Sequence, residues 1–215
     1  MSDNGEFGNY GYYGNRYGNQ YRGQFEQRLR ISLVTPASGD PVSLSEAKLH
    51  CRIDENADNA IVQSLIRAAT VVCETHIRRP IMTQEFKQFF DRWPTGSSIE
   101  LSRGPLLSVT SVKTYTDADV ATTFASTNYF VDTSTIPGRI VLRQGVTWPT
   151  FTRYANPIEI QYKAGYGDDP NGVPPEIRQA VLATVSYLYE NRGEAVAPMP
   201  EIATLLLSTH RDWRF

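Results

Sequence analysis

The 215-residue chain is poor in cysteine, with only Cys51 and Cys73. They follow no paired spacing, which excludes a disulfide-stapled secreted scaffold, and both read as reduced thiols in helical cores. Charge of either sign is not in excess either: 21 basic against 23 acidic side chains leave a net charge of -2. Global electrostatics therefore gives no reason to bind nucleic acid or an acidic membrane surface. No apolar run approaches the ~20 residues of a membrane span, and the N-terminus carries no apolar stretch of the signal-peptide kind. These absences point to a soluble chain made in the cytoplasm, with one domain long enough for a real core.

Catalytic patterns are missing as well. No nucleophile elbow, phosphate loop, paired-carboxylate pattern or Ser/His/Asp context stands out. His210 has no fixed acidic partner in sequence that would make it a general base. The expectation is a protein that is not an enzyme and uses no cofactor.

Two clusters invite a metal reading. His50, Cys51, Cys73 and His76 are soft ligands on two consecutive helices, but adjacent His50 and Cys51 diverge by about a hundred degrees and cannot both face the other pair. Asp168, Asp169 and Asn171 offer clustered oxygens without the spacing or the distal Glu of a calcium loop. Both clusters are read as structural: buried thiols with half-buried imidazoles, and a turn that caps the next helix.

What is present begins with residues 54–80, the longest helical period. Ile61, Leu65, Ala68, Ala69, Val72 and His76 form one stripe, widened by Val62, Ile66, Cys73 and Ile77. Acidic and amide residues crowd its start, His76, Arg78 and Arg79 its end, and Pro80 stops it. A second helix is predicted over 173–192, where Ile177, Ala180, Val181, Thr184, Val185 and Leu188 form a stripe that Leu182, Tyr187 and Tyr189 extend around. A helix apolar nearly all round must be enclosed, so part of this surface is expected to meet another chain. Ser43-Leu44-Ser45-Glu46 reads as a capping box for a short first helix, with Val42 and Ala47 as its staple.

Between the long helices the period becomes strand-like, with strands expected at 83–92, 99–101, 106–115, 129–132, 139–142 and 158–162. The last is the cleanest: Ile158, Ile160 and Tyr162 on one face, Glu159, Gln161 and Lys163 on the other. The fold class is α+β, a small helical bundle of short, long and late helices with an inserted all-β module and extended N- and C-terminal arms. The expected divisions are 1–40 (arm and linker), 41–82 (helices), 83–170 (strands), 171–199 (late helix) and 200–215 (C-terminal arm).

The first 24 residues alternate Gly, Tyr and Asn with almost no aliphatic side chain, so they cannot build a core and should be flexible when free. Tyr10, Tyr12, Tyr13, Arg16, Tyr17, Tyr21 and Arg22 are its candidate contact residues, stacking on a neighbouring subunit. Tyrosine interleaved with arginine also resembles segments that bind single-stranded nucleic acid, which gives the alternative reading, at its mildest a non-specific contact with DNA. At the other end, 201–215 reads as a small helix or arm closing on Trp213 and Phe215 between arginines, residue types that supply much interface energy. A strand within 25–33 and a turn-rich linker at 35–41 complete the pattern.

VSLSEAKLHCRID at 42–54, the long helix ending ETHIRRPI, the turn KAGYGDD, the helix PPEIRQAVLATVSYLYENR and the terminal LLLSTHR resemble, in this order, the head-to-tail connector (adaptor) proteins of long-tailed bacteriophages, prophages and gene transfer agents. The resemblance covers roughly 41–211 and leaves out the Gly/Tyr/Asn arm. It implies a structural virion protein of the head-tail neck, assembled in the host cytoplasm as a homo-oligomeric ring, usually of twelve copies, beneath the portal protein. It further implies a stopper or tail-completion protein as the next partner, with another neck or tail-completion role as the alternative. The C-terminal segment of such proteins docks in the portal, which maps to Leu205, Leu206, Leu207, His210, Arg211, Trp213, Arg214 and Phe215. Ile66, Ile77, Leu182, Tyr187 and Tyr189 are the expected subunit contacts.

Overall fold

The computed structural model describes residues 30–192 and 197–212. Its elements are β1 (Arg30–Thr35), α1 (Leu44–Cys51), α2 (Asn59–Ile77), β2 (Gln84–Phe90), β3 (Ser98–Glu100), β4 (Leu106–Tyr115), β5 (Ala121–Phe124), β6 (Tyr129–Asp132), β7 (Arg139–Leu142), β8 (Ile158–Ala164), α3 (Pro175–Glu190) and α4 (Glu201–Leu207). They form a helical layer and a two-sheet β module, each around its own apolar core.

The capping box starts α1: the Glu46 N–H donates to Ser43 Oγ at 3.2 Å, and Ser43 N–H donates back to Glu46 Oε2 at 2.8 Å. Reciprocal satisfaction of two orphan donors fixes the helix start. Val42 and Ala47 are both buried beside it. α2 begins at Asn59, later than the predicted 54, and ends where Arg78 turns left-handed at φ 60. Its core face is Val62, Ile66, Ala69, Cys73 and Ile77, while Ile61 and Ala68 are exposed. The predicted stripe is thus rotated by one position, because small residues on both flanks blur the boundary of the apolar arc.

All strand pairings are antiparallel. The larger sheet runs β1-β2-β8-β4-β5 and the smaller β3-β7-β6. Phe86, Phe90, Val112, Ile158, Ile160 and Tyr162 of the first face Ile99, Tyr129 and Ile140 of the second in one core. A polar knot lies inside it: buried Gln88 accepts from the Ser102 N–H at 3.0 Å, and the Tyr162 hydroxyl donates to the Ser102 carbonyl. Paired this way, the buried amide and phenol cost the core little.

Two corrections follow for the expected layout. β1 overlaps the strand expected within 25–33, but it completes the sheet edge beside β2, so the β module is not built wholly from the insertion. β5, absent from the expected strands, pairs with β4 through Val112 and Phe124; its residues Ala-Thr-Thr are short, mostly exposed and carry no apolar alternation.

Besides the passage from β1 to α1, two adjacent connections hold the module to the helices. α2 passes into β2 and β8 passes into α3, and β2 pairs with β8 along seven positions from Gln84↔Ala164 to Phe90↔Ile158. The two linkers also bond each other, Tyr166 N–H to the Ile81 carbonyl at 3.0 Å and Thr83 N–H to the Gly167 carbonyl at 3.1 Å. Gly165 makes this approach possible: at φ +138, a Cβ there would stand 2.5 Å from the Met82 carbonyl oxygen.

Candidate functional site

α3 crosses the helical layer and is covered by α1, α2 and α4. Ile177, Ala180, Val181, Thr184 and Val185 are buried, and among the described residues no large apolar side chain of α3 is exposed. The subunit itself thus supplies much of the cover for this helix, while Leu182, Tyr187, Leu188 and Tyr189 stay half-buried. α4 does the enclosing, seating Ala203 and Leu207 in the same core with Met199.

The residues expected at subunit contacts divide accordingly. Ile66 and Ile77 are fully buried within the subunit's own core and present no surface to a neighbour. Leu182 and Tyr187 are half-buried on α3. Tyr189 is engaged locally: its hydroxyl donates to Asp58 Oδ2 at 2.5 Å, and Arg192 both stacks 3.9 Å over its ring and donates to the same oxygen at 3.0 Å. This tripod ties the end of α3 to the start of α2.

The C-terminal residues divide too. Leu207 is fully buried under α3, so it is a core residue and not a docking one. Leu206 is partly buried against the same core, while Leu205 is 67% exposed and Ile202, not foreseen as a contact, 54% exposed. His210 lies 3.9 Å from Glu176, an ion pair when the imidazole is protonated. Arg211 stands beside His76, and burial first, then the charge of Arg211, lowers the His76 pKa. The Asp212 N–H donates to the Ile77 carbonyl at 3.0 Å, which anchors the segment to α2. Trp213, Arg214 and Phe215 lie outside the described residues, as do Tyr10, Tyr12, Tyr13, Arg16, Tyr17, Tyr21 and Arg22.

The metal-like clusters are parts of the scaffold. The Cys73 thiol meets Thr184 Oγ1 at 3.9 Å inside the α2–α3 contact. Thr184 donates to the Ala180 carbonyl at 2.7 Å, so the thiol is the donor between them. His50 is exposed and His76 half-buried. Asp169 caps the turn before α3, accepting from Asn171 N–H at 2.9 Å. Among the described residues no helix is long and apolar enough to cross a membrane.

The surface holds apolar side chains that the sequence reading did not single out: Leu49 on α1 is 82% exposed and Val71 on α2 59%. On the β module, Phe130 is exposed under the guanidinium of Arg143, 3.9 Å from its ring centroid.

This order of elements, with a two-sheet module carried between α2 and α3, can be compared with known proteins. A family model described as "Head completion protein" matches residues 42–196. The chain belongs to the head completion protein family. As a head completion protein it is a structural component of a phage-like particle. Solved structures with the same fold include a chain from the neck of an empty GTA particle, computed with C6 symmetry. It is 24% identical, covers 86% of this chain and 96% of that one, and gives a TM-score of 0.72. A chain from the virion of a native gene transfer agent (GTA) particle is 23% identical, with 86% and 97% covered and a TM-score of 0.73. A third, from the neck of a native GTA particle computed with C12 symmetry, is 24% identical, with 86% and 96% covered and a TM-score of 0.70. Among the curated proteins none matches this sequence.

Proposed function

We propose that this chain forms a closed ring in the neck, between the portal and the stopper or tail, and that it acts by binding and not by catalysis. The observation that carries this reading is the match of 86% of the chain to neck-particle chains, taken with the family assignment over 42–196. The C6 and C12 symmetry of the particles holding those chains supports a ring. In a closed ring each modest contact is repeated, so weak interfaces become strong together.

The outward face of α4 is the docking surface for the portal. Ile202 and Leu205 project from a helix whose opposite side, Ala203 and Leu207, is locked into the subunit core. A rigid helix presenting aliphatic anchors loses little entropy on binding. His210 and Arg211 follow directly and give the polar edge. Among the residues expected at subunit contacts, Leu182 and Tyr187 remain available, with Leu49 and Val71 added.

The test is the double substitution Ile202→Asp and Leu205→Asp, read by co-sedimentation with portal assemblies. Both side chains are exposed, so the folded domain should melt within a few degrees of the parent while attachment is lost. Undiminished attachment refutes the docking assignment.

A further inference from the structure

A cleft of about 180 Å³ opens where the helical layer meets the β module. Val71, Glu74 and Arg79 line it from the end of α2, with Pro80, Phe86 of β2 and Arg103 from the loop before β4. Glu74 is already committed to the joint, its Oε1 accepting from the Ile81 N–H and from Gln84 Nε2, both at 2.8 Å. Arg103 stands near enough to favour its carboxylate electrostatically, yet burial dominates and raises the Glu74 pKa.

Two arginines, Arg79 and Arg103, thus line the cleft beside one committed carboxylate. Arg79 Nε is buried with no hydrogen-bond partner among the described residues. A buried donor left unmade costs roughly 1–3 kcal/mol, which a shift of the Arg79 side chain toward an acceptor in the cleft would recover. Planar guanidinium forks match carboxylate geometry, and the apolar part of the lining suits a short aliphatic stem.

We propose that this cleft binds the carboxylate of a Glu or Asp side chain from a partner protein in the assembled neck, gripped by Arg79 and Arg103 with its stem against Val71, Pro80 and Phe86. Charge complementarity argues for the carboxylate, and the narrow, partly apolar recess argues for a side chain over a nucleic-acid backbone. The source of the side chain rests on the neck reading above; the chemistry of the cleft does not.

The test titrates the full chain with acetyl-Val-Glu-Val-amide and with its Gln counterpart, following the arginine Nε–H signals by NMR. The Glu peptide should shift Arg79 and Arg103 saturably and bind at least about tenfold more tightly than the Gln peptide. Arg103→Asn, which tolerates the left-handed backbone of that position (φ 66), should abolish the shift and leave the backbone spectrum of the helices unchanged. An equal response to both peptides, no response, or saturation by inorganic phosphate alone overturns the proposal. Arg79→Gln should also weaken assembly on the portal about tenfold or more. Peptide binding by the parent chain together with unweakened assembly of that variant overturns the neck partner as the source and leaves the ring itself standing.

Discussion

Arg178, in the first turn of α3, donates from Nη2 to Glu46 Oε1, while Glu46 Oε2 accepts from the Ser43 N–H that opens α1. Arg178 Nε also donates to the Pro41 carbonyl at 3.2 Å. One carboxylate thus caps a helix with one oxygen and ties two helices together with the other. Its pKa is lowered first by the Ser43 backbone bond and further by Arg178.

Loss of either partner should loosen the start of α1. The pair is partly exposed, so Arg178→Ala is expected to cost roughly 1–2 kcal/mol, less than a buried charge pair. Glu46→Ala should cost about the same, because it removes the cap along with the tie. Chemical denaturation measures both, and the double variant should lose less than the sum of the single ones.

Asp132 pairs with Arg139 across β6 and β7, Arg139 Nε to Oδ2 at 2.8 Å, and accepts from the Ser134 hydroxyl and N–H. The Ser134 hydroxyl first, then Arg139, holds its carboxyl down at about 2. Because the folded value lies below the unfolded one, its stabilisation is complete above the unfolded carboxylate range of about 4 and fades as pH falls through 2. Asp132→Asn should therefore lower the melting temperature at pH 7 and much less near pH 2. An equal shift at both pH values would show that the carboxylate's charge is not involved.

Gly165→Ala should damage the joint between helices and β module. Its φ of +138 disfavours any side chain, and the new Cβ would meet the Met82 backbone at 2.5 Å. A loss of roughly 1–3 kcal/mol is expected by denaturation. Gly39→Ala, with open space around its Cβ, is the control and should change little.

The two thiols should differ in reactivity. Burial, only partly countered by Thr184, pushes the Cys73 thiol up to about 11, and the side chain has no solvent exposure. Cys51 is half-buried, its pKa raised mainly by burial. At pH 8 a thiol reagent should label Cys51 in the native chain and Cys73 only after unfolding, as intact-mass and peptide measurements will show. Labelling of both in the native state would mean that α2 and α3 separate readily.

Much of the fold was legible because its signals were local. The Ser43–Glu46 cap, the alternation at 158–162 and the Pro-Pro start of α3 each act within a few residues, and β6 and β7 fall where the pattern put them. Tertiary contacts decided the rest. Glu159, expected on an open polar face, is buried beside Lys87 at 3.2 Å and the Tyr115 hydroxyl at 2.9 Å, partners that are distant in sequence. Leu207 looked like the start of a free arm because nothing local shows α4 folding back onto α3. The Arg79–Arg103 cleft was invisible for the same reason, its two arginines lying on separate elements.

Native mass spectrometry of the full chain, alone and with purified portal protein, tests the central claim most directly. Because the helical core encloses itself, the chain alone should be a folded monomer of 24.2 kDa, and portal should convert it into a closed ring with a fixed copy number. A chain that stays monomeric in the presence of portal, or binds it with no fixed stoichiometry, would contradict the account.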